Sequence, residues 1–165
     1  MFGIKTKLKK AHYKHIAEKS VGHKLSNVYI NGSCLFSHNT AIGDNCHFNG
    51  MRVHGNGRIT IGDNFHSGED CIIITSNHNY DAGSALPYDD TFIEKPVVIG
   101  KNVWIGMRVT ILPGTTIGDG AIIQAGSVVS GEIPALAIVG NGPAKVFKYR
   151  DREHYEKLEK AECYM

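Results

Sequence analysis

An aliphatic side chain recurs every six residues from Ile99 through Ile105, Ile111, Ile117 and Ile123 to Val129, and no other feature constrains the chain as strongly. Gly follows in Ile99-Gly100, Ile105-Gly106 and Ile117-Gly118, and small or β-branched residues recur four positions along as Val103, Val109, Thr115, Ala121 and Ser127. A helix repeats at about 3.6 residues and an alternating strand at about 2, so neither makes this period. A short strand plus a tight turn does, wound around a prism with three flat faces. Three such units make one coil, and coils stack at the strand spacing of about 4.8 Å. A single unit cannot bury its apolar edge alone, so the array must be continuous.

Upstream, the same spacing finds Ile30, Phe36, Ile42 and Phe48, then Ile61, Ser67 and Ile73, with Cys34, Thr40, Cys46, Phe65, Cys71 and Asn77 as the fourth-along partners. Two breaks interrupt it. Arg52 to Thr60 reads as a small bulge or one-residue slip. From His78 to Val98 the chain carries Asn79-Tyr80-Asp81, Gly83-Ser84 and Leu86-Pro87-Tyr88-Asp89-Asp90, turn-formers without a period that predict a loop thrown out of the prism. Loops of this length inside a repeat are usually functional. The 165 residues therefore read as one all-β domain, 1–165: an N-terminal helix over 1–20, first coils over 28–77, an active-site loop over 78–98, later coils over 99–146, and a C-terminal helix or tail over 148–165.

A net charge of +2 gives no case for nucleic acid. The opening Met1 to Lys10 is basic but lacks the apolar run of a signal peptide or membrane helix, which argues against membrane insertion. Met1 to Ser20 reads as a helix capping the first coil, with an amphipathic helix on a membrane surface as the alternative. Cys34, Cys46 and Cys71 share the inward register, where a compact apolar side chain packs well, and Cys163 falls near the end. Without a CxxC or comparable ligand pair no structural zinc site is expected, and reduced core thiols fit a cytoplasmic compartment.

Nine histidines are present. His12, His15, His23, His38 and His154 lie near the ends or in repeat turns, where a solvated imidazole is the default. His78 differs, because Ser76-Asn77-His78-Asn79-Tyr80-Asp81 is where regular coil passes into irregular loop. A rigid scaffold can fix its backbone there while the loop builds a wall around it. Histidine as a residue type is largely neutral at pH 7 and so available as a base.

Three stretches carry a family resemblance: Ile61-Gly62-Asp63-Asn64, Asn77-His78-Asn79-Tyr80-Asp81, and Val98 to Gly106 with its Val-Trp-Ile-Gly unit. With the closing Ile138 to Val146, they make residues Ile30 to Arg150 resemble the hexapeptide-repeat acyltransferases. The resemblance is greatest to sugar O-acetyltransferases of bacterial surface-polysaccharide clusters and to the xenobiotic, galactoside and maltose branch. It implies a left-handed parallel β-helix, a triangular prism with an extruded loop and short terminal helices, and a homotrimer with active sites between subunits. It further implies direct acetyl transfer from acetyl-CoA to a hydroxyl of a sugar or glycan acceptor, with His78 as general base and no metal. By motif matching, Trp104, Met107, Ala125, Ser130 and Gly131 line the donor's tunnel, and Lys145 and Lys148 meet its phosphates. His47, Asn49, Asp81 and Tyr80 fall at acceptor positions, and Tyr80, Tyr88 and Phe92 suggest surfaces for stacking a sugar or packing the loop against a neighbouring subunit.

Three positions depart from the family pattern. His47 stands where galactoside and maltose enzymes carry asparagine, Gly131 replaces a common basic residue, and Asn141-Gly142-Pro143-Ala144-Lys145 alters the usual Gly-Asn-Pro-Ala-Lys. Transfer to an amino sugar's nitrogen or to a xenobiotic hydroxyl is the nearest alternative chemistry. A zinc hydratase of the γ-carbonic-anhydrase type needs three converging histidines, yet after His78 the next is His154, beyond the repeats. A non-catalytic scaffold leaves the Asn-His-x-x-Asp segment and Trp104 without employment.

Overall fold

The computed structural model describes residues 2–165, with side chains from residue 6 onward; Met1 lies outside the described residues. Parallel strands fall into three sheets that the chain visits in rotation. Face A stacks Val28–Ile30, Cys46–Phe48, His66–Ser67, Trp104–Ile105, Ile122–Ile123 and Ala137–Gly140, and Lys145–Tyr149 closes its last edge antiparallel. Face B stacks Cys34–Leu35, Met51–His54, Cys71–Ile74, Thr110–Ile111 and Val128–Val129. Face C stacks Thr40–Ile42, Ile59–Ile61, Val97–Ile99, Thr116–Ile117 and Glu132–Ile133. This is a triangular β-solenoid, the architecture expected of a left-handed β-helix.

The two inward positions of each unit build the core. Ile99, Val103, Ile105, Val109, Ile111, Ile117, Ala121, Ile123 and Val129 are all buried in one continuous cluster. Each large aliphatic among them contributes about 1.5–3 kcal/mol. Cys34, Cys46 and Cys71 are buried as free thiols in the same register. Burial pushes Cys34 up to about 12 and Cys46 to about 11, so these are packing groups rather than nucleophiles. Asn77 departs from the expected register: it is exposed, and Thr75 is the last residue facing inward before the chain leaves the prism.

The corners are set by turn chemistry. Between faces C and A, Asn45, Asn64 and Asn102 take φ of 52, 56 and 58°, the left-handed region asparagine tolerates. Their amides form a ladder, Asn45 Nδ2 donating to Asn64 Oδ1 at 3.0 Å and Asn64 Nδ2 to Asn102 Oδ1 at 2.8 Å. Asn102 Nδ2 then donates to Tyr155 Oη at 2.7 Å, which ties the C-terminal helix Arg152–Lys160 to this corner. Lys148 and Tyr149 belong to a strand, so the C-terminal helix begins later than the sequence suggests. The N-terminal helix, Phe2–Val21, is long rather than short. It ends at Gly22, φ 86°, and buries Ala17 and Val21 against the first coil. Among the described residues no helix is long and apolar enough to cross a membrane.

The loop is a structured hairpin. Ser76–His78 pairs antiparallel with Phe92–Glu94, and parallel stacking resumes at Val97. Lys95 N donates to Thr75 O at 2.8 Å and closes its base. The excursion therefore leaves and re-enters at the corner between faces B and C.

Candidate active site

His78 ends the outgoing strand of the hairpin, directly opposite Phe92. Its ring stacks on Tyr88 with centroids 3.7 Å apart and planes at 16°, and meets Phe92 at 4.5 Å and 35°. Its Nδ1 is buried and has no hydrogen-bond partner among the described residues. Asp81 and Tyr80 are exposed further along the loop, and Asp81 does not reach that nitrogen. The carboxylate that organises the loop is Asp89. Its Oδ2 accepts from Ser84 N at 2.7 Å and Ser84 Oγ at 3.1 Å; its Oδ1 accepts from Thr91 N at 2.9 Å and Thr91 Oγ1 at 2.6 Å. These bonds, the Thr91 hydroxyl first, hold its carboxyl well below the usual carboxylate range.

Outward side chains in register along face A form a second constellation. Tyr29, His47, His66, Trp104, Ile122, Ile138 and Lys148 follow one another across the strands. Tyr29 and His47 stack at 4.3 Å, and His47 and His66 at 4.4 Å. Burial lowers the pKa of both imidazoles, helped by Lys10 for His47 and by His47 for His66. The unfolded chain therefore binds protons that the folded one refuses, in the window from the ordinary histidine value of about 6.5 down to the lowered folded values. Stability must fall as pH drops through that window, moderately, since solvent screens both rings. Thermal melts from pH 8 to 5 test this: a His47→Gln/His66→Gln variant is expected to lose less stability on acidification. Equal pH dependence in the two proteins contradicts the assignment.

Between faces A and B, Asn49, Met107 and Ala125 lie on stacked turns, with the turn at Gly68 between those of Asn49 and Met107. Asn49 Nδ2 donates to Ser67 O at 2.7 Å, and Gly126 N donates to Met107 O at 2.8 Å. Glycine is required here because the turns touch: a Cβ on Gly68 would run into the backbone of Gly106 and Met107, and one on Gly106 into Ala125. Beside this corner a cavity of about 770 Å³ opens under the N-terminal helix, where Lys9, Lys10 and Tyr13 face Asn49, Glu69 and Asp70. Ser130 and Gly131 instead sit on the B–C corner, beyond the hairpin base. Lys145 and Lys148 are exposed on the strand that closes face A.

One chain thus brings His78, Ser130 and Gly131 to one corner, and Asn49, Met107 and Ala125 to another, with His47, Trp104 and Lys148 on face A. In a three-faced prism the B–C corner is opposite face A, so His78 and His47 do not share a site within one copy. Nor do His47, His66 and His78 converge on a common point; among the described residues no group of three or more His, Cys, Asp or Glu side chains could hold a metal ion.

Residues 96–131 match the family model described as bacterial transferase hexapeptide (six repeats). Over 142 residues the chain is 32% identical to galactoside O-acetyltransferase of Escherichia coli, covering 82% of this chain and 69% of that protein. The chain belongs to the hexapeptide-repeat acetyltransferases. A putative lipopolysaccharide biosynthesis O-acetyl transferase of E. coli is 35% identical over 129 residues, 74% of this chain and 63% of that one. A probable acetyltransferase of Mycobacterium tuberculosis is 40% identical over 92 residues, and the chain spans 31% of its length. A hexapeptide-repeat acetyltransferase of Vibrio cholerae superposes with a TM-score of 0.75 at 30% identity, over 87% of this chain and 83% of that one. The Vibrio protein is also known in complex with acetyl coenzyme A.

In this hexapeptide-repeat acetyltransferase, sequence reasoning missed the wall that the N-terminal helix adds beside Asn49, which is tertiary and leaves no local signal. It also missed Asp89, although Asp89-Asp90-Thr91 carries a readable one: an aspartate two residues before a threonine favours a local side-chain turn.

Proposed function

We propose that this acetyltransferase moves an acetyl group from acetyl-CoA to a hydroxyl of a sugar or surface-polysaccharide precursor, with His78 as general base. The observation that carries the reading is the placement of His78, a partly buried imidazole gripped by an aromatic cluster where a rigid prism gives way to a hairpin. His78 takes the acceptor's hydroxyl proton as that oxygen attacks the thioester carbonyl. The tetrahedral intermediate then collapses, the C–S bond breaks, and the departing thiolate receives the proton from the imidazolium. The segment Asn77-His78-Asn79-Tyr80-Asp81 offers no Ser or Cys nucleophile, which favours the direct route over an acyl-enzyme.

The donor and acceptor groups come together when two copies meet. Face B offers the surface for this, because its outward ladder Leu35, Arg52, Ile72, Thr110 and Val128 is largely apolar or β-branched. Three copies packed through face B set the B–C corner of each against the A–B corner of the next. His78, Ser130 and Gly131 of one copy then face Met107, Ala125, Trp104, Lys145 and Lys148 of another, which would hold acetyl-CoA. His47 and Asn49 of that second copy, and Tyr80 and Asp81 of the first, border the acceptor, with Lys9, Lys10 and Tyr13 added by the N-terminal helix.

The test is acceptor-dependent release of CoA thiol over a panel of saccharides and nucleotide sugars, followed by locating the acetyl group. Acetyl on a sugar oxygen, lost in His78→Ala, is the expected outcome. Acetyl on nitrogen overturns the O-transfer reading, and undiminished turnover in His78→Ala overturns the role of the histidine.

A further inference from the structure

The imidazole read above as the base lacks the support that ordinarily orients one. A working histidine is usually fixed through its second ring nitrogen, by a carboxylate or a backbone carbonyl. Among the described residues His78 Nδ1 has no such partner although it is buried. What restrains the ring is contact with two aromatic rings, Tyr88 at 3.7 Å and nearly parallel, and Phe92 at 4.5 Å. Their own anchoring differs. Phe92 is fixed by strand pairing directly across from His78. Tyr88 lies outside any strand, in the loop between the two hairpin arms. Its neighbour Asp89 ties that loop at four points, two on Ser84 and two on Thr91.

We propose that Tyr88 is a positioning residue that sets the plane of the His78 imidazole by stacking, and that Asp89 is the latch that keeps Tyr88 in place. The inference rests on His78 being the base. It assigns to aromatic contact the orienting task that a hydrogen-bonded carboxylate performs elsewhere. Asp89 suits the latch because its carboxylate, ionised at neutral pH like any aspartate, accepts all four bonds, and those bonds in turn hold its pKa down.

The experiment compares Tyr88→Ala, Tyr88→Phe, Asp89→Ala and His78→Ala in the thiol-release assay, with thermal melting as a check on the fold. Misplacing a reacting group by about 1 Å can cost on the order of 100-fold. Tyr88→Ala is therefore expected to lower kcat by roughly 10- to 100-fold with little change in the KM for acetyl-CoA. Tyr88→Phe keeps the ring and is expected to retain turnover, while Asp89→Ala follows Tyr88→Ala in direction. All four variants should melt like the parent, because the loop is exposed and outside the core. An unchanged kcat in Tyr88→Ala overturns the inference. So does a loss confined to the acceptor's KM, which makes Tyr88 a binding platform, or equal damage in Tyr88→Phe, which assigns the effect to the hydroxyl. The two levels separate cleanly: an inactive His78→Ala beside a fully active Tyr88→Ala sinks only the stacking role. A fully active His78→Ala sinks the base itself.

Discussion

His78→Ala is expected to lower acceptor-dependent CoA release by about 100- to 10,000-fold, the usual contribution of a positioned general base. The loss should fall on kcat, since the rings that pack on the imidazole are Tyr88 and Phe92, which are not among the groups proposed to hold acetyl-CoA. The fold should survive: Phe92 stays in place through its backbone pairing with residue 78, and the inward-facing core residues stop at Thr75 and resume only at Val97. Residual turnover is expected to be real, because alignment of donor and acceptor supplies catalysis of its own. Steady-state kinetics of the variant, with circular dichroism for integrity, decide the matter.

The second large effect is on stability. Phe48 is fully buried on the inward side of the face A strand that presents His47 outward. It meets Phe36 edge-on and Phe65 obliquely, both with centroids 5.2 Å away. Phe48→Ala removes that ring from between successive coils and leaves a void that neighbouring backbones, pinned in ladders, cannot close. A cost of about 3–5 kcal/mol is expected. For a chain of this size it corresponds to a fall in melting temperature of roughly 6–20 °C. Because each coil of a solenoid touches only its neighbours, hydrogen exchange should rise first in the early coils, and least around Ile105 to Val129. A uniform rise along the chain contradicts a solenoid of semi-independent coils.

The stretch from Ile99 to Val129 was legible in the sequence because two inward positions per unit, such as Ile105 and Val109, expose the period directly. Where turns change length, the period misleads in instructive ways. Cys34 pairs with Met51, seventeen positions on, whereas Thr40 pairs with Ile59, nineteen on. The single slip visible between Arg52 and Thr60 is thus the net result of one residue lost before Met51 and two gained before Ile59. Asn77 keeps the spacing yet points out, because a period counts residues and cannot register that the backbone has already left the prism. Tyr88 and Phe92 were readable as aromatics for stacking, but their seating on His78 depends on hairpin pairing and on the Asp89 latch. The separation of His47 from His78 emerges only once three faces close, since it follows from which sheet each strand joins. The N-terminal helix was itself legible as a cap on the first coil, but the cavity beside Asn49 depends on how that helix docks, which local sequence does not encode.

On the proposed reading, transfer takes place between two copies, with His78 from one and the donor-binding rail of Met107, Ala125, Trp104, Lys145 and Lys148 from the next. Mixed assembly of two inactive variants tests it most directly. His78→Ala removes the base, and Ala125→Trp plugs an exposed turn of the rail while leaving the buried core untouched. When the two are refolded together, random assortment should pair an intact His78 with an intact Ala125 at about a quarter of the sites, and CoA release should reappear accordingly. If the mixture stays as inactive as either variant alone, while each still assembles with itself, base and rail belong to a single copy and the two-copy site is wrong.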